Sequence, residues 1–160
     1  MEYFQTILLF LALCLTTSAQ LVVHVDDGDT YKILNQGKLQ IIRLANVDAP
    51  ELDEYYGSIV KDSVSKLILG CEVTVDPRGK DRYGRTIAEV TVEGMSLDSL
   101  LIVKGWAWNY TQFSQNYELA GYEKIVKASG VGMWQCLFNV PPWIWRKLNK
   151  RQKRLNEMCR

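Results

Sequence analysis

Three short stretches of the chain gather side chains able to bind a charged ligand or move a proton: Asp27-Gly28-Asp29, Arg43 with Asp48-Ala49-Pro50-Glu51, and Lys80-Asp81-Arg82-Tyr83-Gly84-Arg85. Arg43 makes the sharpest demand. It stands within Leu39-Gln40-Ile41-Ile42-Arg43-Leu44-Ala45, where burying an unpaired guanidinium is costly, so it calls for a carboxylate or an anionic ligand. Asn35-Gln36-Gly37 supplies a turn between two apolar runs, which makes Thr30–Val47 a hairpin. A three-residue loop sets Leu34 against Lys38 and Asp29 against Arg43; a two-residue loop moves the register by one, and either brings carboxylate and guanidinium together. A buried Arg43–Asp29 ion pair and an anion-binding site both answer the demand.

Asp48 and Glu51 follow the same strand and can converge with Asp29 at one end of the fold. Such oxygen-only ligands suit a hard cation, calcium or magnesium. In the third stretch, Gly84 permits the backbone twist that throws Arg85 off the start of a strand, Tyr83 offers a flat face to a base or sugar, and Lys80 adds charge. That combination suits a phosphorylated, aromatic ligand. Taken singly, each stretch is ordinary, since acidic turns and basic loops are usually solvated surface.

Other chemistries lack parts. His24 is the single histidine and sits in an apolar strand-like run, and no two of the four cysteines are close. Zinc sites built from several His and Cys ligands, and Ser-His-Asp or Cys-His machinery, are therefore hard to assemble.

These stretches must be positioned by one domain, because 160 residues suffice for a single closed core. A chain 48% hydrophobic and 23% charged, with only four prolines, is neither disordered nor collagen-like. Leu21–Asp26, Thr30–Leu34, Leu39–Val47, Cys71–Asp76 and Thr86–Val92 read as strands, and Trp106–Tyr110 is strand-like. Gly57–Gly70 reads as an amphipathic helix through Val60, Val64, Leu67 and Ile68. Ser96–Lys104 reads as a short one with Leu97, Leu100 and Leu101 inward, and Tyr117–Ser129 as a third with Tyr122, Ile125 and Val126 on one side. Five short strands with about three helices give an α+β fold around a small β-barrel, since edges must be closed or covered. Pro141-Pro142-Trp143-Ile144-Trp145 reads as a docking strap with tryptophan anchors, beyond which fixed structure is expected to end.

The net charge of +1 hides an asymmetry. Residues 146–160 hold seven Lys/Arg against one acid, so an acidic body carries a basic tail. At the other end, Ile7–Leu15 is an unbroken apolar run followed by Thr17 and Ala19, the small-residue pattern of a cleavage site, so residues 1–19 read as a secretory signal peptide. The run is too short to span a bilayer. The mature chain is then expected to be secreted or periplasmic, with tethering by an uncleaved signal as the alternative. Of the cysteines that remain, Cys71–Cys136 is the expected pair, with Cys159 left over on the basic tail.

Val25-Asp26-Asp27-Gly28-Asp29-Thr30, then Arg43-Leu44-Ala45-Asn46-Val47-Asp48-Ala49-Pro50-Glu51, then Asp81-Arg82-Tyr83-Gly84-Arg85 resemble, in order and spacing, the staphylococcal nuclease (thermonuclease) family. The later Leu101–Trp108, Gly132-Met133-Trp134 and Pro141-Pro142-Trp143 before Arg146 match as well, so residues 20–145 can be laid along it. The resemblance implies an OB-fold barrel that hydrolyses DNA and RNA with calcium, cleaving between phosphorus and the 5′ oxygen to leave 3′-phosphates. On matching positions it implies Asp29, Asp48 and the main-chain oxygen of Ala49 as calcium ligands and Asp27 as an outer partner. It further implies Glu51 as general base, Arg43 and Arg85 as phosphate clamp, and Tyr83 as nucleotide contact, to which the adjoining Lys80 adds a cation. Ala49 replaces a threonine of the family's namesake, a change a main-chain ligand tolerates, and Leu52-Asp53-Glu54-Tyr55-Tyr56 is a shorter, more acidic loop than the namesake's.

The competing reading is a non-catalytic OB-fold domain that binds nucleic acid or protein. It leaves three acids beside a polyanion without a purpose. No protein partner is implied and a monomer is expected. The basic tail is expected to add salt-sensitive affinity for nucleic acid without being needed for cleavage, with an anionic lipid surface or plain solvent as its alternatives.

Overall fold

The computed structural model describes residues 20–114 and 116–155; the expected signal peptide, Cys14 and Cys159 lie outside them. In chain order the elements are β1 (Gln20–Val25), β2 (Thr30–Asn35), β3 (Lys38–Leu44), β4 (Val47–Asp48), α1 (Gly57–Ile68), β5 (Glu72–Lys80), β6 (Thr86–Val92), β7 (Met95–Ser96), α2 (Leu97–Val103), β8 (Trp108–Asn109), α3 (Tyr117–Ser129), a 3-10 turn (Gly132–Gln135), α4 (Pro142–Trp145) and α5 (Lys150–Leu155). β1, β2 and β3 form an antiparallel meander, β5 pairs with β1 and with β6, and a parallel pairing of β3 with β6 closes the circle. This is the five-stranded OB barrel, mixed α+β with three helices of seven residues or more, as the sequence implies.

The hairpin adopts the shorter of the two loops. Asn35 faces Lys38 across Gln36 and Gly37, both at positive φ (50° and 74°), so Thr30 and not Asp29 lies opposite Arg43. Asp29 stays beside it, because its carbonyl accepts the Leu44 N–H at 2.9 Å. β5 runs past Asp76 to Lys80, and an irregularity between Pro77 and Gly79 accommodates the residue without an N–H.

Alternate residues of the barrel strands, Val22, Tyr31, Ile33, Ile42, Leu44, Ala88 and Val90 among them, meet Val60, Val64 and Ile68 of α1 and Leu97, Leu101 and Ile102 of α2 in one apolar core. Leu100, expected inward, only packs at its margin. α3 presents Leu119 and Val126, while Tyr122 and Ile125 of the expected face are exposed. The reason is the smaller second cluster of Trp108, Val126, Met133 and Trp134, which α3 meets on its Leu119–Val126 side. Lys127 Nζ sits 4.3 Å and 4.5 Å from the rings of Trp108 and Trp134.

Two expectations are corrected. The Cys71 thiol is free, whereas Cys136 is disulfide-bonded, so these two cysteines are not a pair. They belong to different neighbourhoods: Cys71 packs against the main core at the foot of α1, and Cys136 bonds through its N–H to Met133 of the second cluster. Fixed structure also does not end at Trp145. Pro142 at the first helical position starts the one-turn α4, Trp145 is buried, and α5 follows.

The corner between β4 and α1 is where core and polar rim meet. A Cβ on Gly57 would stand 1.8 Å from the Glu51 carbonyl oxygen, so only glycine lets the helix start this close to that loop. Gly57→Ala is expected to destabilise the fold by about 1–3 kcal/mol, measured as a fall in the urea midpoint at unchanged slope.

Candidate active site

One cleft of about 1030 Å³ opens at the end of the barrel and is lined by Asp27, Asp29, Arg43, Asp48, Ala49, Glu51, Lys80, Tyr83 and Arg85, so every residue implied by the sequence motifs reaches a single cavity. Four chain segments bring them there. The β1–β2 turn is fixed by its own polar groups: Asp27 Oδ1 accepts the Asp29 N–H at 3.0 Å, and the Tyr31 hydroxyl donates to the Gly28 carbonyl at 2.7 Å. This aims the buried Asp29 carboxylate inward.

Arg43, near the end of β3, the last strand of the meander, is the hub. Its Nε lies 3.0 Å from Asp29 Oδ1, its Nη2 donates to Asp48 Oδ1 at 2.7 Å, and its Nη1 donates to the carbonyls of Leu44 and Val47 at 2.8 and 2.7 Å. Three of its five guanidinium hydrogens are thus hydrogen-bonded, Nε is paired by charge with Asp29, and one hydrogen on Nη2 keeps no partner among the described residues. Burial pulls the Arg43 pKa down, but the carboxylates of Asp29, Asp48 and Asp27 more than offset it, and the group is held charged. Both answers to its demand thus hold at once: it is neutralised by carboxylates, and it faces a cleft.

The opposite wall is the β5–β6 turn. Asp81 accepts the N–H groups of Tyr83 and Arg85 and binds Arg85 Nε at 2.7 Å, which fixes the turn and orients the arginine. Arg85 Nη1 reaches Thr30 Oγ1 at 3.4 Å, tying this wall to the first. Tyr83 is exposed, with Arg82 and Arg85 at 4.9 and 5.6 Å from its ring. A flat face and a cation are thus offered side by side, the arrangement that suits a nucleotide base and its phosphate.

Two residues that shape this rim escaped the sequence reading. Arg146, placed there in the basic tail, lines the cleft: its Nη2 donates to Asp48 Oδ2 at 2.7 Å and its Nη1 to Glu51 Oε1 at 2.7 Å. The tryptophans just before it were the available signal, since a strap that buries Trp145 must deliver the next residue to the same place. Glu54 is the second. Its Oε2 accepts the Glu51 N–H at 3.0 Å and its own N–H donates to the Glu51 carbonyl at 2.9 Å, closing the loop that carries Glu51. Burial, then the neighbouring charges of Glu51, Asp48 and Asp53, push its carboxyl up to about 8.

The residues fit a hard dication by donor type and by charge. On this wall the carboxyl groups of Asp27, Asp29, Asp48 and Glu51 face the guanidinium groups of Arg43 and Arg146, while Lys80, Arg82 and Arg85 line the wall opposite. Burial raises the Asp29 carboxyl well above its usual range; Arg43 opposes this, and Asp27 and Asp48 add to it. Asp29 Oδ2 takes only the Ala49 N–H, and Glu51 Oε2 has no partner among the described residues. The acids are arranged by guanidinium groups and not as a ready-made cage, for no ligand cluster of three His, Cys, Asp or Glu stands among the described residues.

An OB barrel whose rim sets arginines and acids around one cleft is built to handle a phosphorylated ligand, and the comparisons with known proteins give that class a family. A family profile described as "Staphylococcal nuclease homologue" matches residues 41–136. The chain belongs to this family. It is similar to an "Uncharacterized endonuclease" of Escherichia coli, 37% identical over 126 residues that cover 78% of this chain and 82% of that protein. A second protein of that description, from Haemophilus influenzae, is 34% identical over 130 residues, covering 81% and 73% of the two chains. A "Micrococcal nuclease" of Shigella flexneri is 29% identical over 140 residues, covering 81% and 80%. The chain is thus a nuclease-family homologue, and its family implies a nucleic-acid substrate. Among the described residues no helix is long and apolar enough to cross a membrane.

Glu54 makes the fold sensitive to pH in a stated direction. A carboxyl raised from 4.5 to about 8 holds its proton in the folded state where the unfolded chain has lost it, so stability falls as pH rises through that window. Glu54→Gln keeps an acceptor for the Glu51 N–H without the charge. It is expected to melt like the parent at pH 4 and to exceed it by more than about 1 kcal/mol at pH 9, checked by thermal melts across the range.

Proposed function

We propose that the chain is a calcium-dependent nuclease that hydrolyses phosphodiester bonds of DNA and RNA and leaves 3′-phosphates. The observation that carries this reading is the meeting of Arg43, Arg85, Asp29, Asp48 and Glu51 on one cleft. Asp29, Asp48 and the main-chain oxygen of Ala49 would hold the ion, with Asp27 steadying Asp29 through its N–H. The ion, when bound, supplies positive charge against the phosphate and completes the neutralisation of the acids.

The chain's own residues do the rest. Arg85 and the remaining Nη2 hydrogen of Arg43 receive the phosphate oxygens, where negative charge grows as the attacking water adds to phosphorus. Glu51 accepts the proton of that water as its oxygen bonds to phosphorus, and as the bond to the 5′ oxygen breaks the departing oxygen takes a proton from solvent. Tyr83 stacks on the nucleotide and Lys80 adds a cation on the same wall. We also read the export signal as operating, which places the mature chain in a secreted or periplasmic setting.

Cleavage of single-stranded DNA and RNA is expected with calcium and to stop with chelator, with 3′-phosphate ends on the products. Arg85→Ala is expected to lower turnover by roughly 1,000-fold and Glu51→Gln by about 100- to 1,000-fold. Wild-type rates in both variants would refute the assignments. Calcium-independent binding without cleavage would instead favour the non-catalytic OB domain.

A further inference from the structure

Asp48 and Glu51 sit on different local structures, β4 and the turn after Pro50, and as like charges on one rim they repel. A single group spans them. The Arg146 guanidinium grips Asp48 with both prongs, Nη2 to Oδ2 at 2.7 Å and Nη1 to Oδ1 at 3.2 Å, and Nη1 also reaches Glu51 Oε1 at 2.7 Å. With Arg43 on the other flank of Asp48, the carboxylate is held from two sides and almost completely buried. The planar fork fixes direction as well as distance, which an ammonium group does not.

The strap that delivers Arg146 is anchored on the same loop. Trp145 Nε1 donates to Asp53 Oδ1 at 2.9 Å, Lys153 Nζ binds Asp53 Oδ2 at 2.8 Å, and Lys153 lies 4.9 Å from the Trp145 ring. Asp53 is two residues past Glu51, so the strap holds this loop at two points, one in the cleft and one behind it.

We propose that Arg146 is a positioning residue for the hydrolysis, setting the relative orientation of Asp48 and Glu51 that cation binding and proton transfer require, and that the strap of residues 142–155 is therefore part of the active site. This rests on the calcium-nuclease reading above. Arg146 engages Glu51 through Oε1 alone and leaves Oε2 without a partner among the described residues.

The test compares the full chain with Arg146→Gln, Arg146→Lys and Asp53→Asn, reading calcium affinity by calorimetry without substrate, kcat and KM on single-stranded DNA, and the melting temperature. Arg146→Gln is expected to weaken calcium binding by about tenfold and to lower kcat by about 10- to 100-fold while KM for DNA changes little. Arg146→Lys keeps the charge without the fork and is expected to recover only a minor part of either loss. Asp53→Asn loosens the strap with Arg146 intact and shifts both readouts the same way by a smaller factor; it and the lysine variant decide the matter if Arg146→Gln fails to fold. Wild-type calcium affinity and kcat in Arg146→Gln would overturn the proposal, as would full rescue by lysine. Tighter calcium binding would overturn it too, showing that Arg146 competes with the ion. A wild-type chain that neither binds calcium nor cleaves DNA removes the nuclease reading and this one together. A wild-type chain that does both, beside an indistinguishable glutamine variant, removes only this one.

Discussion

A guanidinium buried at the rim of a barrel has to be surrounded by acceptors, and Arg43 imposes that condition on everything near it. Its guanidinium reaches two carboxylates and two carbonyls, so the β1–β2 turn, the end of β3 and the β4 corner are all fixed relative to one side chain. The cost of burying the charge is offset only while all of these stay in place. The same condition creates the site, because the acids that neutralise Arg43 gather more negative charge than it can balance. The excess is met by Arg146 on one side and by the cation of the proposed reaction on the other.

The barrel positions these groups with few residues. Strand closure through the parallel β3–β6 pair puts Arg43 opposite Ile87, one residue beyond Thr86 and two beyond Arg85, so the two walls of the cleft are neighbours through the sheet. The turns that carry Asp29 and Arg85 are each braced by an aspartate accepting backbone N–H groups, Asp27 in one and Asp81 in the other. The wall geometry therefore comes from local hydrogen bonding, and the spacing between walls from the ladder.

Much of this was legible in the order of residues. Period-two apolar strands, the Val60–Val64–Ile68 stripe and an arginine inside an apolar run are local signals, and they led to the barrel, α1 and the site motifs. Three things were not local. The hairpin register hung on whether Asn35 paired or turned, which the positive φ of Gln36 decides. The inward face of α3 was set by the main core at Leu119 and by Trp108, Met133 and Trp134 at Val126, so Ile125 stays outside. Arg146 lay in a run of cations whose composition resembles a solvated tail, and nothing in its neighbours' charge distinguishes the one that enters the cleft. Cys71 and Cys136 failed as a pair for a like reason, since position along the chain does not say which cluster a cysteine joins.

Arg146 meets Asp48 across 98 positions of chain, one of the longest loops the described residues close. Ordering so long a loop is rewarded only after the barrel exists. The strap of residues 142–155 can therefore settle only on a barrel that is already closed, and its hold on Asp48 and Glu51 depends on that docking.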